Sequence, residues 1–152
     1  MRIWVDADAA PREVKEIVFR TARRLGVETV LVANQRLQTP VGNAFVTAVR
    51  VDGGPDVADR YIADQAVQGD LAVTADVPLA AMLVPRGIVV LDPRGVEHTD
   101  ETIGERLSVR DFMESARAAG VITGGPRPYD ARARQAFADA LDRALTRLRR
   151  AR

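Results

Sequence analysis

Met1-Arg2-Ile3-Trp4-Val5-Asp6-Ala7-Asp8 is a short apolar run that stops on carboxylates, and Leu71-Ala72-Val73-Thr74-Ala75-Asp76 repeats the design. Each run yields to a segment opened by proline, Pro11 and Pro78, a residue suited to the first turn of a helix. Strand, acid, helix is the order of an open α/β sheet, where ligands bind outside the carboxyl ends of the strands at the point of strand-order reversal. Two such runs point to acidic side chains converging in one crevice. Carboxylates gathered there repel one another unless a cation sits among them, and hard oxygen ligands favour Mg²⁺ or Mn²⁺.

Outward from these runs the chain alternates. Val14, Ile17, Val18, Thr21, Ala22 and Leu25 share one helix face, and Gly26 ends the helix. Residues 28–33 and 45–51 read as strands separated by a loop with Pro40 and Gly42. Asp56 is placed to cap a helix with Val57, Tyr61, Ile62 and Ala66 on one face. After the 71–74 strand, Pro78 opens a helix that turns Leu79, Met82 and Leu83 inward, and residues 88–91 form another strand before Asp92-Pro93. Strands alternating with helices predict a parallel sheet with right-handed crossovers. Beyond it the chain turns helical: Thr99 precedes Asp100 and Glu101, Ser108 precedes Asp111 at capping-box spacing, and Asp130 precedes a tail helix with a stripe of Phe137, Leu141, Ala144, Leu145 and Leu148. Thr123-Gly124-Gly125-Pro126 reads as a loop.

The 152 residues fit one domain, 1–152, and 47% hydrophobic with 28% charged residues is the balance of an ordinary globular protein. With no cysteine, a disulfide framework, a thiolate zinc site and a cysteine nucleophile are excluded. No apolar run approaches a membrane span and residues 1–8 read as a strand rather than a signal peptide, which gives a cytoplasmic location and no membrane partner. The net charge of +1 does not advertise a nucleic-acid binder. Lys15 is the only lysine, and the arginines gathered at the tail, from Arg143 to Arg152, complement the dipole of a terminal helix.

The candidate metal ligands are Asp6, Asp8, Asp56 and Asp76, with Asp59 on the same helix as Asp56 and Asp92 after the 88–91 strand. Mg²⁺ takes only one or two carboxylates beside water and phosphate oxygens, so these acids are not all ligands. Asp56 also reads as a helix cap and Asp92 as a turn residue. Asp6 and Asp76 carry the functional reading, because an acid at the end of an interior strand has little structural reason to be there. Thr74 lies two residues before Asp76, so strand alternation aims both to one side. Asn34 is placed either to bind phosphate or to shape a turn. His98, the only histidine, reads as a solvated surface residue, and Trp4 as core. No phosphate-binding G-x-x-x-x-G-K-[ST] loop occurs.

Asp6-Ala7-Asp8-Ala9-Ala10-Pro11, Val32-Ala33-Asn34-Gln35, Asp56-Val57-Ala58-Asp59, Thr74-Ala75-Asp76-Val77-Pro78-Leu79-Ala80, Asp92-Pro93-Arg94-Gly95 and Thr123-Gly124-Gly125-Pro126 together resemble the YaiI/YqxD family of bacterial proteins, over nearly the whole chain. The family's sheet is similar to that of PIN-like nucleases. The resemblance implies a three-layer α/β sandwich with a mainly parallel sheet in the order 3-2-1-4-5, plus C-terminal helices. It also implies catalytic acids at Asp6, Asp59 (or Asp56) and Asp76, with Thr74 at the nuclease motif's Ser/Thr position. The family usually carries cysteine where this chain has Ala10, so a thiol-dependent role is absent here. PIN nucleases typically use Glu for the helix-borne acid, where this chain offers only Asp.

The reading that follows is an Mg²⁺- or Mn²⁺-dependent phosphodiesterase acting on RNA or another phosphodiester. Asp6 and Asp76 would hold the metal, and Asp59 or Asp8 would place a second metal or the attacking water. A non-catalytic metal- or nucleic-acid-binding module of the same fold is the alternative. A third reading takes Asp6-Ala7-Asp8 as the D-x-D of aspartyl-nucleophile phosphatases, with Lys15 nearby.

Overall fold

Pro11 holds extended backbone before the first helix and Gly26 ends it in the left-handed region at φ 66°, its N–H bonded to the Ala22 carbonyl. These two residues set the first crossover, from β1 (Arg2–Asp6) through α1 (Arg12–Leu25) to β2 (Glu28–Ala33). The computed structural model describes residues 1–122 and 127–151; the loop read at 123–126 lies outside the described residues. The chain continues through β3 (Val46–Arg50), α2 (Val57–Gln65), β4 (Leu71–Val73), α3 (Val77–Leu83), a 3-10 turn (Val84–Arg86), β5 (Val89–Leu91), β6 (Glu97–His98), α4 (Asp100–Ala118) and α5 (Ala131–Arg150).

The sheet has the order β3-β2-β1-β4-β5-β6. Its first five strands are parallel, in the expected order 3-2-1-4-5, and β6 adds an antiparallel edge strand through a tight hairpin after β5. Chain order reverses between β1 and β4, the neighbours whose carboxyl ends carry Asp6 and, just beyond, Asp76.

Alternation along each strand splits the core into two layers. Ile3, Val5, Leu31, Leu71, Val73 and Leu91 face α1 and α5, where Val14, Val18, Phe137, Leu141 and Leu145 are fully buried. Trp4, Val32, Ala72 and Val90 face the other way, against Ile62 of α2 and Leu79 and Leu83 of α3. Helices on both faces make a three-layer sandwich. Burying a side chain such as Phe137 contributes about 2–3 kcal/mol, so the stripe read on the tail helix is what seats α5 on the body.

Four expectations need correction. Met82 is 47% exposed rather than inward, because the buried face of α3 runs through Leu79, Ala80 and Leu83 and leaves Met82 to one side. Ser108 does not start a helix; Thr99 and Thr102 form the capping box of α4, and Ser108 sits mid-helix with its hydroxyl donating to the Gly104 carbonyl. Asp56 occupies the position before α2 but makes no side-chain cap bond, since its backbone is left-handed at φ 64°. His98 is buried, not solvated: it pairs with Val90 in the β5–β6 hairpin.

Candidate active site

Register alone brings two of the expected residues together. Trp4 pairs with Ala72 and Val5 with Val73 in the parallel β1–β4 ladder, so the next step sets Asp6 beside Thr74. Both continue the Trp4–Ala72 side of the sheet, the side covered by α2 and α3. The Thr74 hydroxyl donates to Asp6 Oδ2 at 3.0 Å and accepts the Asp76 backbone N–H at 3.0 Å. Asp76 in turn caps α3, its Oδ1 accepting the Leu79 N–H at 2.9 Å. Asp76 thus has a structural duty as well as its place at a strand end. The cap also fixes the carboxylate at the mouth of the crevice.

Asp59, in the first turn of α2, reaches the same place. Its carboxyl is pushed up to about 7 by burial, by a proton-sharing contact with Asp76, and by the charges of Asp76, Asp6 and Asp56. Asp6 is also raised, first by burial and then by Asp76 and Asp8, against the lowering effect of the Thr74 hydroxyl. These couplings gather Asp6, Asp8, Asp56, Asp59 and Asp76 into one electrostatic unit. Like charges this close disfavour joint ionisation.

Asp8 is fixed from the side of β2: its Oδ2 accepts the Asn34 backbone N–H at 2.7 Å. Asn34 thus meets the crevice through its backbone N–H. Asp56 is the one non-glycine residue with positive φ among the described residues, a conformation that costs about 1–3 kcal/mol and concentrates at functional sites. Asp92 stands apart. Its Oδ1 accepts the N–H groups of Arg94 and Val96, both at 2.9 Å, building the turn between β5 and β6. Ala10, at the family's cysteine position, packs partly buried against the core on the α1–α5 side. Lys15 Nζ donates to the Ala7 carbonyl at 3.5 Å, which places an ammonium against the Asp6-Ala7-Asp8 backbone.

Among the described residues no three acidic or histidine side chains are disposed to share one metal ion. The donor set nonetheless fits Mg²⁺ or Mn²⁺, which need only one or two carboxylates beside water. Asp6 and Asp8 each have one oxygen engaged by a hydrogen bond and one remaining, while Asp76 caps α3 and shares a contact with Asp59.

Asp70 and His98 are buried polar residues outside the expected site. Asp70, only 3% exposed, accepts Trp4 Nε1 at 3.0 Å, Val67 N–H at 3.0 Å and Arg2 N–H at 2.9 Å, tying β1 to the turn before β4. His98 was hidden in a hairpin whose signal was present: an apolar run, Asp92-Pro93-Arg94-Gly95, then Val96-Glu97-His98.

Among the described residues no helix is long and apolar enough to cross a membrane. The family model DUF188, described as an uncharacterised BCR of the YaiI/YqxD family, matches residues 4–147. A UPF0178 protein of Myxococcus xanthus is 60% identical over 148 residues, covering 97% of this chain and 96% of its own length. UPF0178 proteins of Syntrophobacter fumaroxidans and Trichlorobacter lovleyi are 52% identical over 147 residues and 51% identical over 150 residues. They cover 97% and 99% of this chain, and 95% and 97% of their own lengths. No solved structure matches the chain. A family model spanning most of the chain and relatives aligned end to end agree: the chain belongs to the YaiI/YqxD family.

Proposed function

We propose that the chain is an Mg²⁺- or Mn²⁺-dependent phosphodiesterase acting on RNA, with Asp6, Asp59 and Asp76 as its catalytic acids. The observation that supports this is the electrostatic unit of five aspartates at the β1–β4 reversal, with Asp59 pushed up to about 7. Holding carboxylates against their mutual repulsion is costly without a cation to receive, and perturbed acids at a sheet's carboxyl edge are the mark of a working site. Asp6 and Asp76 would hold the ion, with Asp8 and Asp56 as further oxygen donors. A bound divalent cation neutralises the acids and polarises a phosphoryl oxygen. Thr74 orients Asp6 through its hydroxyl. Asp59, poised to exchange a proton near neutral pH, is suited to take one from the attacking water. Asn34 supports the rim through its backbone N–H on Asp8, and Asp92 builds the neighbouring β5–β6 turn.

The test is cleavage of a labelled single-stranded RNA by purified protein with Mg²⁺, Mn²⁺ or EDTA, beside Asp6→Asn and Asp76→Asn. Metal-dependent cleavage lost in both variants is expected. A folded wild type that melts higher with Mg²⁺ but cuts neither RNA nor DNA would replace this reading with a metal-binding module that lacks turnover.

A further inference from the structure

A pocket of about 390 Å³ adjoins the acidic crevice, between the loop after β4, the β5–β6 hairpin and α4. Its wall includes Ala75, Val77, Asp92, His98, Arg106 and Val109. His98 and Arg106 both line the pocket, and Nδ1 of His98 and Nε of Arg106 are buried without a hydrogen-bond partner among the described residues. His98 is 5% exposed, so bulk water does not serve it freely. Buried polar atoms are nearly always paired, and an orphan calls for a ligand, ion or water. Asp92 also lines the pocket; its Oδ1 is taken by two backbone N–H groups, so only its second oxygen is left to accept from a ligand.

We propose that this pocket takes a nucleobase of single-stranded RNA, guanine before the others, next to the phosphate held by the acids. The wall mixes donors with acceptors among apolar surfaces. A bare anion would meet the carboxylates of Asp92 and Glu105, and an aliphatic group would leave Arg106 and His98 unpaired. A base brings a flat apolar face and an edge with both kinds of group. Guanine presents O6 and N7 to an arginine, and N–H donors on its other edge to a carboxylate. The volume lies in the range of small-molecule sites. Phe112, one turn beyond Val109 on the same side of α4, is 69% exposed and offers a stacking face for the next base. Only the neighbouring phosphate rests on the phosphodiesterase reading; base recognition does not need the metal.

His98 is the only histidine, so its imidazole nitrogen resonances report on the pocket alone. Guanosine, which has no phosphate, should shift them in metal-free buffer. Arg106→Gln should weaken that binding roughly tenfold, the loss of one good hydrogen-bonded contact. Val109→Trp fills the pocket from an exposed position and should abolish the shift while the melting temperature holds. Adenosine, cytidine and uridine should bind more weakly. No shift at millimolar guanosine, an equal shift with inorganic phosphate, or equal shifts with all four nucleosides would overturn the proposal. If guanosine binds and RNA is not cleaved, the phosphodiesterase reading fails and this one stands; cleavage without any guanosine response sinks this one alone.

Discussion

The Thr74 hydroxyl donates to Asp6 Oδ2 and accepts the Asp76 backbone N–H, both at 3.0 Å, so one oxygen ties the end of β1 to the start of α3. Its bond to Asp6 lowers a carboxyl that burial raises. Thr74→Val keeps the shape and removes the hydroxyl. The Asp6 carboxyl should then titrate higher than in wild type. The unpaired Asp76 N–H should cost about 1–3 kcal/mol of stability. Thr74→Ser should restore both. Carboxyl ¹³C titration of the three proteins measures this, and an unchanged Asp6 in Thr74→Val would remove Thr74 from the site.

Asp59 sets the pH dependence. Its folded carboxyl sits at about 7, above the ordinary value of 3.8. A group raised on folding contributes stability that is full below its unfolded pKa and lost as pH rises through the folded one. Wild type should therefore lose stability between about pH 4 and pH 8, by roughly 1 kcal/mol once solvent screening of this half-exposed cluster is allowed for. Asp59→Asn should match wild type near pH 4 and melt higher at pH 8. Melting curves across that window in EDTA decide it: equal slopes in the two proteins would mean that Asp59 ionises without strain.

Much of this crevice was legible in the sequence because strand ends are local events. Asp6, Asp8, Thr74 and Asp76 follow apolar runs directly, and Pro11, Gly26 and Pro78 punctuate the crossovers. The placement of Asp6 beside Thr74 then follows from parallel register. The missed features are those set by distant partners. His98 is buried because β6 pairs with Val90 and α4 lies over it, and no periodicity in a two-residue strand announces that. Asp70 follows Gly69 at a turn position that any acid could fill; only tertiary packing brings the Trp4 indole N–H to it. Asp56 reads as a cap from its spacing, and the left-handed backbone that defeats the cap is a property of the whole 52–56 turn.

Asp70 should prove a structural residue of the first rank. It receives three N–H groups across a sequence gap of up to 68 residues. Asp70→Ala orphans the Trp4 indole and two backbone donors together, at about 1–3 kcal/mol for each buried group. The expected result is loss of cooperative unfolding or a drop of several kcal/mol. Trp4→Phe removes the indole N–H along with its need for a partner and should cost less. Trp4 is the only tryptophan, so urea titrations of the Asp70 variant can follow its fluorescence directly, with circular dichroism for Trp4→Phe.

Gly95 and Gly120 separate crowding from backbone strain. Both hold positive φ, 88° and 75°. A Cβ at Gly95 would lie 2.5 Å from the Ala136 carbonyl oxygen in α5, whereas nothing lies within 4 Å of one at Gly120. Gly120→Ala should cost about 1–2 kcal/mol, the left-handed penalty alone. Gly95→Ala should cost clearly more, because α5 must shift off the hairpin. Similar losses in the two variants would show that α5 yields at that contact.

Asp76 carries two duties, and two substitutions can divide them. Its Oδ1 caps α3 through the Leu79 N–H, while its charge belongs to the crevice. Asparagine is as good a cap as aspartate and brings no charge. Asp76→Asn should therefore keep the fold and, in EDTA, melt at or above wild type, since one of the repelling acids is gone. Asp76→Ala loses the cap as well and should fall about 1 kcal/mol below Asp76→Asn. Added Mg²⁺ stabilises a folded protein more the more tightly it binds, as the logarithm of concentration over Kd, so wild type should gain and both variants should gain much less. Paired melting curves with and without Mg²⁺ read all three effects at once. An Asp76→Asn protein that gains as much from Mg²⁺ as wild type would leave Asp76 as a helix cap and nothing more, and would move the ion to Asp6 and Asp8.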